Sequence, residues 1–152
     1  MQFYRITKKK YQATTFTGMG AAEYPGRWNH QYTKVIYTAD SLALAELELL
    51  TKLNGSDLLK AYVYFQVTVD DNALTALDLD DLPDGWYNEP PNNISRDIGE
   101  AWVRSQESVG LLLPSIVVPQ QQICILNPEH PQFTDAVNYG KSVNCVFDQR
   151  LK

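Results

Sequence analysis

The stretch "ADSLALAELELLTKLNG", residues 39–55, is the strongest helical pattern in the chain. Either Asp40 or Ser41 can cap the first turn, and the pair Asn54-Gly55 supplies a stop. On a wheel with about 3.6 residues per turn, one apolar face consists of Leu42, Ala45, Leu49 and Leu53. We therefore predict one amphipathic helix between the cap and this stop.

Strand patterns flank this helix on both sides. "KVIYT" (34–38) precedes it, and "KAYVYFQVTV" (60–69) follows with strict alternation of apolar and polar residues. Further strands are predicted at Gln2–Ile6, in "LLLPSIVVP", in "QICILN" and in "NCVFD", and a short helix carrying Trp102 is predicted at Ile98–Ser105. Several separated strands with few helices indicate an α+β fold with a mixed or antiparallel sheet and flanking helices.

Composition narrows the function classes. The chain has 152 residues and a net charge of −5, and its longest basic run is Lys8-Lys9-Lys10. One domain over residues 1–152 is expected from this length, and direct nucleic-acid binding is not expected without a basic stripe. No stretch approaches the roughly 20 apolar residues of a membrane span, and the N-terminus lacks a signal-peptide pattern.

The metal-binding and redox residues are few. Only Cys124 and Cys145 are cysteines, which is typical of reduced, buried thiols in a cytoplasmic protein. Only His30 and His130 are histidines, so we predict no metal site.

The segment "GMGAAE" (18–23) nearly matches a dinucleotide-binding fingerprint. It lacks the third glycine and follows no convincing strand, and we expect it to form a flexible loop that opens no helix. It lies in a polar, glycine-rich stretch over residues 17–34, and loops of this length are often functional. Ser115 stands between Pro114 and Pro119 and is expected near a strand start or a sheet edge.

Two carboxylates of the predicted helix are candidates for a functional site. Glu48 can form a surface ion pair with Lys52 at i,i+4 spacing. Glu46 lies nearer the apolar face, and periodicity alone makes it the better candidate for a buried carboxylate with a raised pKa. Spacing leaves the choice between them open.

The loop "YPGRWNHQ" (24–31) and the strand after it supply further candidates. Arg27 is either a solvated loop residue or a phosphate anchor, since its planar fork binds phosphate through two hydrogen bonds. Trp28 is expected to pack into the core and hold Arg27 toward a cleft. Tyr37, at a strand end, either stacks on a flat ligand ring or belongs to the core.

In chain order, seven stretches resemble the RES domain family, which is named for its Arg, Glu and Ser. They are "FYRI", "GMGAAEYPGRWN", "VIYTADSLALAELELL", "LPDGW", "IGEAWVRSQESVGLLLPSIVVP", "ILNPEHPQF" and "FDQRL", and together they cover nearly the whole chain. The resemblance implies one RES domain over residues 1–152, with a fold related to the ADP-ribosyltransferase toxins.

The resemblance also implies the site residues. It places the family's arginine on Arg27, its aromatic on Tyr37, its glutamate on Glu48 and its serine on Ser115; Arg5 matches a further arginine position. Glu48, Arg27 and Ser115 are then catalytic, while Arg5, Arg27, Tyr37 and Ser115 contact NAD⁺. On this basis Arg27→Ala should abolish turnover with little loss of fold, whereas Trp28→Ala should reduce stability first.

The implied activity is that of a toxin from a bacterial type II toxin–antitoxin pair. Such a toxin consumes NAD⁺ by hydrolysis or phosphorolysis of the nicotinamide–ribose bond, with no metal or other cofactor, in the cytoplasm. The alternatives are an ADP-ribosyltransferase acting on a protein and an inactive module that only binds its antitoxin. The implied partner is an Xre-type helix-turn-helix antitoxin, in an assembly containing a homo-oligomer of the toxin.

Overall fold

The computed structural model describes residues 1–54, 57 and 60–151. Its strands are β1 (Gln2–Lys8), β2 (Ile36–Ala39), β3 (Tyr62–Val69), β4 (Leu74–Ala76), β5 (Gly110–Pro114), β6 (Gln122–Leu126), β7 (Val137–Tyr139) and β8 (Val143–Asn144). Its α-helices are α1 (Met19–Glu23), α2 (Leu42–Leu50), α3 (Asn93–Ser105) and α4 (Phe133–Ala136). Short 3₁₀ turns connect several of these elements.

The described strands form one mixed sheet in the order β4-β5-β6-β2-β1-β3-β7, and β8 also pairs with β3. Only the pair β4–β5 is parallel within this described sheet; the other pairs are antiparallel. This arrangement confirms the predicted α+β class with a mixed sheet.

The two sheet faces carry separate apolar clusters because strand side chains alternate. Phe3, Val67 and Leu126 belong to one cluster, while Tyr4 packs with the other. That second cluster contains the three tryptophans Trp28, Trp86 and Trp102. Helices α2 and α3 contribute to the second cluster, so the functional candidates on α2 lie on this side of the sheet.

Helix α2 begins where the sequence predicts and ends earlier. Ser41 is its N-cap and accepts a 3.0 Å hydrogen bond from the Leu44 amide. The helix ends at Leu50 rather than at Asn54, and Gly55 of the predicted stop lies outside the described residues. The buried residues of α2 are Leu44, Ala45 and Leu50. Of the predicted apolar face, Ala45 is buried, whereas Leu42, Leu49 and Leu53 are only partly buried.

Three other predictions need correction. The "GMGAAE" segment does open a helix: Gly18, at a φ of 78°, is the N-cap of the five-residue α1, because glycine adopts positive φ without strain. The "NCVFD" strand is reduced to β8, which ends at Asn144. Ser115 follows the end of β5 rather than a strand start, and β5 lies inside the described sheet rather than at an edge.

Further elements extend beyond the sequence pattern. Helix α3 begins five residues before the predicted start, because Asn92 caps it through a 2.9 Å bond from the Ile94 amide.

Cys124 is buried as predicted, but Cys145, just after the short β8, is only partly buried. None of the helices in the described part of the chain has the length and apolar character that crossing a membrane requires.

Candidate functional site

Two adjoining cavities form the candidate site. The smaller has a volume of about 120 Å³ and the wider about 830 Å³, which together reach the size of a typical small-molecule site. We call them the cleft. Both are lined by Arg5, Tyr37, Glu48, Lys52 and Ile123. Arg27 lines the wider cavity only, so the structure brings four of the five predicted residues to one cleft.

The fifth predicted residue, Ser115, reaches the cleft through Glu48. Its side chain is fully buried, and its Oγ donates a 2.6 Å hydrogen bond to Glu48 Oε1. The same Oγ accepts from the amides of Val117 (3.1 Å) and Val118 (3.0 Å). Because both lone pairs accept from these amides, the single hydroxyl proton is left for Glu48. Ser115 therefore fixes the carboxylate, and its expected contact with substrate stays a prediction.

Glu48 rather than Glu46 faces the cleft. On α2, position 48 lies one turn after both Leu44 and Ala45, on the side that faces the protein. Glu46 lines neither cavity; partial burial does raise its pKa, as periodicity suggested. The wheel therefore identified a carboxylate with a raised pKa, but not the one at the cleft.

The predicted surface ion pair between Glu48 and Lys52 is wrong. Within the described residues neither side chain has the other as a salt-bridge partner. The helix ends at Leu50, so Lys52 leaves the helical spacing, and Ser115 holds the Glu48 carboxylate instead.

Tyr37 joins the cleft wall to the loop that carries Arg27. Its hydroxyl accepts from the Trp28 amide (3.0 Å) and donates to Asn29 Oδ1 (2.6 Å). Burial raises the pKa of Tyr37, so the phenol keeps its proton and this bond. A Cβ on Gly26 would lie 2.7 Å from the Tyr37 hydroxyl oxygen, which explains a glycine at the closest approach of loop and ring.

Arg27 is buried and bonds to the segment that begins at Trp86. Its Nη1 donates to the carbonyls of Trp86 (3.0 Å) and Asn88 (2.7 Å), and its Nη2 pairs with Glu89 Oε2 at 2.7 Å. The solvated alternative is therefore excluded. The guanidinium ties two chain segments together, and these contacts argue against the expectation that Arg27→Ala causes little loss of fold.

Trp28 is the predicted core residue. It is 1% exposed and stacks on Trp86 with ring centroids 5.9 Å apart. Together with the Arg27 bonds, this stacking holds the loop and the 86–89 segment as one wall.

Helix α3 supports this wall with residues that the sequence did not single out. Ser95 Oγ donates 2.7 Å to the Arg27 carbonyl, and Arg96 Nε donates 3.0 Å to the Gly26 carbonyl. Gly99 faces the Trp28 carbonyl so closely that a side chain there would overlap it. A serine and a glycine four positions apart on a helix are common in sequences. Their spacing therefore could not have singled out Ser95 and Gly99 as contacts of the loop.

Two further cations line the cleft. Arg5 donates from Nε to Thr15 Oγ1 (3.0 Å) and from Nη1 to the Tyr37 carbonyl (3.2 Å), and burial lowers its pKa to about 10. Lys52 Nζ lies 5.9 Å from the Tyr37 ring centroid, and desolvation lowers its pKa. Sequence spacing indicates Lys52 only as a surface partner of Glu48.

Comparisons with known proteins agree with this architecture. The RES domain family model matches residues 2–148. The chain is 39% identical to "Toxin Res" of Yersinia enterocolitica over the full length of both proteins. It is 35% identical to the "Prs ADP-ribosylating toxin" of a Sphingobium species, covering 98% of this chain and 95% of that one.

A solved structure shares the fold. A chain of the Mycobacterium tuberculosis MbcT–MbcA toxin–antitoxin complex superposes with a TM-score of 0.79 at 21% identity. The match covers 95% of this chain and 83% of that one.

Proposed function

This chain belongs to the RES domain family, and from that membership we propose that it is a bacterial toxin that consumes NAD⁺ by cleaving the nicotinamide–ribose bond. The observation that carries the proposal is the Glu48 carboxylate, which Ser115 fixes at 2.6 Å on the wall common to both cavities. Relatives at 39% and 34% identity bear the name "Toxin Res".

Cleavage of the nicotinamide–ribose bond requires little from the protein beyond electrostatic stabilisation and positioning of the substrate. Nicotinamide in NAD⁺ carries a positive charge and leaves as a neutral ring, so its departure needs no general acid. The C1′–N bond breaks toward a ribosyl cation, and a fixed carboxylate stabilises this developing charge. Water or phosphate then adds to C1′ and loses a proton. The proposal uses NAD⁺ as substrate and no metal or other cofactor.

Each cleft residue has a role in this proposal. Glu48 stabilises the cation; its Oε2 makes no hydrogen bond within the described residues and is available to a ribose hydroxyl. Tyr37 presents its ring to the nicotinamide–ribose end. Arg5 and Arg27 form the cationic wall for the rest of the dinucleotide, and Ser115 acts as a positioning residue for Glu48.

Transfer of ADP-ribose to a protein is the second candidate. The name of the Sphingobium relative, an ADP-ribosylating toxin at 35% identity, favours it. The bond that breaks is the same, and only the acceptor at C1′ differs. The candidates therefore separate by product: free ADP-ribose or ADP-ribose 1″-phosphate against a modified protein.

An antitoxin is the proposed partner. The relatives' names and the toxin–antitoxin complex that shares the fold support it. We propose that this antitoxin is an Xre-type helix-turn-helix protein, that the complex contains a homo-oligomer of the toxin, and that both act in the cytoplasm. If the chain only bound the antitoxin and had no activity of its own, expression without that partner would leave growth unaffected.

The test is to incubate the purified chain with NAD⁺, with and without phosphate and a cell lysate, and to identify the products by mass spectrometry. We expect nicotinamide to be released with a small-molecule ADP-ribose product. Nicotinamide release with ADP-ribose attached only to protein would establish the transferase. Unchanged NAD⁺ in all mixtures would refute both activities.

A further inference from the structure

The two arginines of the cleft are anchored to the protein by their own hydrogen bonds. Nη1 of Arg27 bonds two carbonyls, and its Nη2 pairs with Glu89. Arg5 uses Nε on Thr15 and Nη1 on the Tyr37 carbonyl. A guanidinium has five N–H donors in a fixed plane, and these bonds hold that plane in place, so neither arginine can turn to follow a ligand without breaking them.

Lys52 differs from both arginines. Within the described part of the chain its ammonium group makes no hydrogen bond and no salt bridge, so its three donors remain available. It lines both cavities, and its Nζ lies over the Tyr37 ring, 5.9 Å from the ring centroid.

The charges around Lys52 favour an anion. Arg27 already faces the Glu89 carboxylate, and Glu48 is held by Ser115. No carboxylate forms an ion pair with Lys52 in the described part of the chain; Glu48 and Glu89 act on its ammonium only at longer range, against Arg5 and Arg27. Lys52 as a whole is exposed, but desolvation of its ammonium group lowers its pKa, and a partly desolvated ion attracts an opposite charge more strongly than one in bulk water.

We infer that Lys52 binds the diphosphate of the dinucleotide and acts as the main phosphate contact in the cleft. This inference rests on the proposed function for the identity of the ligand. An ammonium group is a compact point charge on a flexible stem, so it can follow phosphate oxygens while the arginines hold the walls. Lys52 reaches the ligand from just beyond α2, two residues after Leu50, and only four positions after Glu48.

The test measures binding by calorimetry with ADP-ribose, ADP and adenosine, none of which can lose nicotinamide. Lys52→Met keeps most of the apolar stem and removes the charge. We expect it to weaken ADP-ribose and ADP binding about tenfold or more and to leave adenosine binding unchanged. Lys52→Arg should restore part of the affinity. Lys9→Met, at an exposed turn residue outside the cleft, should bind like the wild type.

Salt dependence gives an independent readout, since a lost ion contact makes ADP-ribose binding less sensitive to ionic strength. Equal ADP-ribose affinity in wild type and Lys52→Met would overturn the inference, as would no ADP-ribose binding by the wild type. If Lys52→Met weakens ADP-ribose binding but the wild type leaves NAD⁺ intact, the proposed reaction fails and the phosphate contact stands.

Discussion

Ser115 Oγ and Glu48 Oε1 lie 2.6 Å apart although 67 positions separate the two residues in the chain. The bond joins the residue that follows β5 to the last turn of α2. A serine whose lone pairs are occupied by two amides cannot rotate away from the carboxylate without losing those bonds. The carboxylate is thus held in one orientation before any ligand arrives, and such pre-organisation makes electrostatic stabilisation effective.

The choice between the two carboxylates of α2 is directly testable. We expect Glu48→Gln to lower the rate of NAD⁺ consumption about 10²- to 10³-fold, because the charge that stabilises the cation is lost. Glu46→Gln is the matched control on the same helix and should keep activity, since Glu46 lines neither cavity. The measurement is nicotinamide release by each purified variant. The opposite pattern would mean that Glu46 is the catalytic carboxylate.

A positioning role for Ser115 predicts a specific kinetic signature. Ser115→Ala frees the carboxylate, so we expect kcat to fall about tenfold with little change in KM, and stability to fall by about 1–2 kcal/mol. The decisive measurement is a double-mutant cycle: Ser115→Ala should have almost no further effect on kcat in the Glu48→Gln background. Independent, additive effects would contradict the role. Ser105→Ala, which removes a local bond at the end of α3, is the control.

The sequence predicted the periodic parts of this fold well. The alternation over 60–69 became β3, and Ser41 capped α2 as its side chain allows. The early end of α2 at Leu50 was missed because the residues after it remain compatible with a helix. Glu48 is the carboxylate at the cleft partly because Ser115, which follows β5, bonds to it. A contact between such distant segments leaves no trace in local spacing.

The partners of Arg27 show the same limit. Its bonds go to backbone carbonyls and a glutamate in the irregular 86–89 segment. That segment has no periodicity, and any residue can supply a carbonyl. The sequence therefore identified Arg27 as a candidate and Trp28 as a core residue, but it gave no sign that Arg27 also holds the fold. Strands β4 and β7 were missed because three residues are too few to show alternation.

Arg27 is expected to affect stability as well as activity. Arg27→Ala should lower the free energy of unfolding by about 2–4 kcal/mol, because one buried and one partly buried bond to backbone carbonyls and one ion pair are lost. Urea unfolding of wild type, Arg27→Ala and Arg104→Ala measures this. Arg104 is an exposed arginine in an i,i+4 pair with Glu100, so its removal should change stability by less than about 0.5 kcal/mol. Equal stability of Arg27→Ala and wild type would show that the 86–89 segment is held by other contacts.

Glu89 is expected to weaken ligand binding in the wild type. Its carboxylate is 75% exposed and lies on Arg27 Nη2, at the wider cavity that both residues line. A ligand phosphate must compete with it, so Glu89→Gln, which keeps an acceptor oxygen and removes the charge, should tighten ADP-ribose binding about 3- to 10-fold. Glu129→Gln is the control, since Glu129 is exposed and lies outside the cleft, 3.9 Å from Lys34. Weaker binding in Glu89→Gln would instead assign the carboxylate a role in holding Arg27 for the ligand.

At Gly99, helix α3 packs directly against the backbone of Trp28 in the 24–31 loop. A methyl group there would overlap the Trp28 carbonyl oxygen, and backbone cannot move aside as a flexible side chain can. Gly99→Ala should therefore lower the free energy of unfolding by about 2 kcal/mol or more, although alanine is the better helix former by about 1 kcal/mol.

Gly140→Ala is the matched control, because nothing lies within 4 Å of a Cβ at that position, and it should be neutral or slightly stabilising. Activity gives a second readout, because the same loop packs against the Tyr37 ring at the cleft through Gly26. If Gly99→Ala unfolds at the same urea concentration as wild type, α3 and the loop are free to separate. The wall built from Trp28, Trp86 and Arg27 would then have to be held without α3.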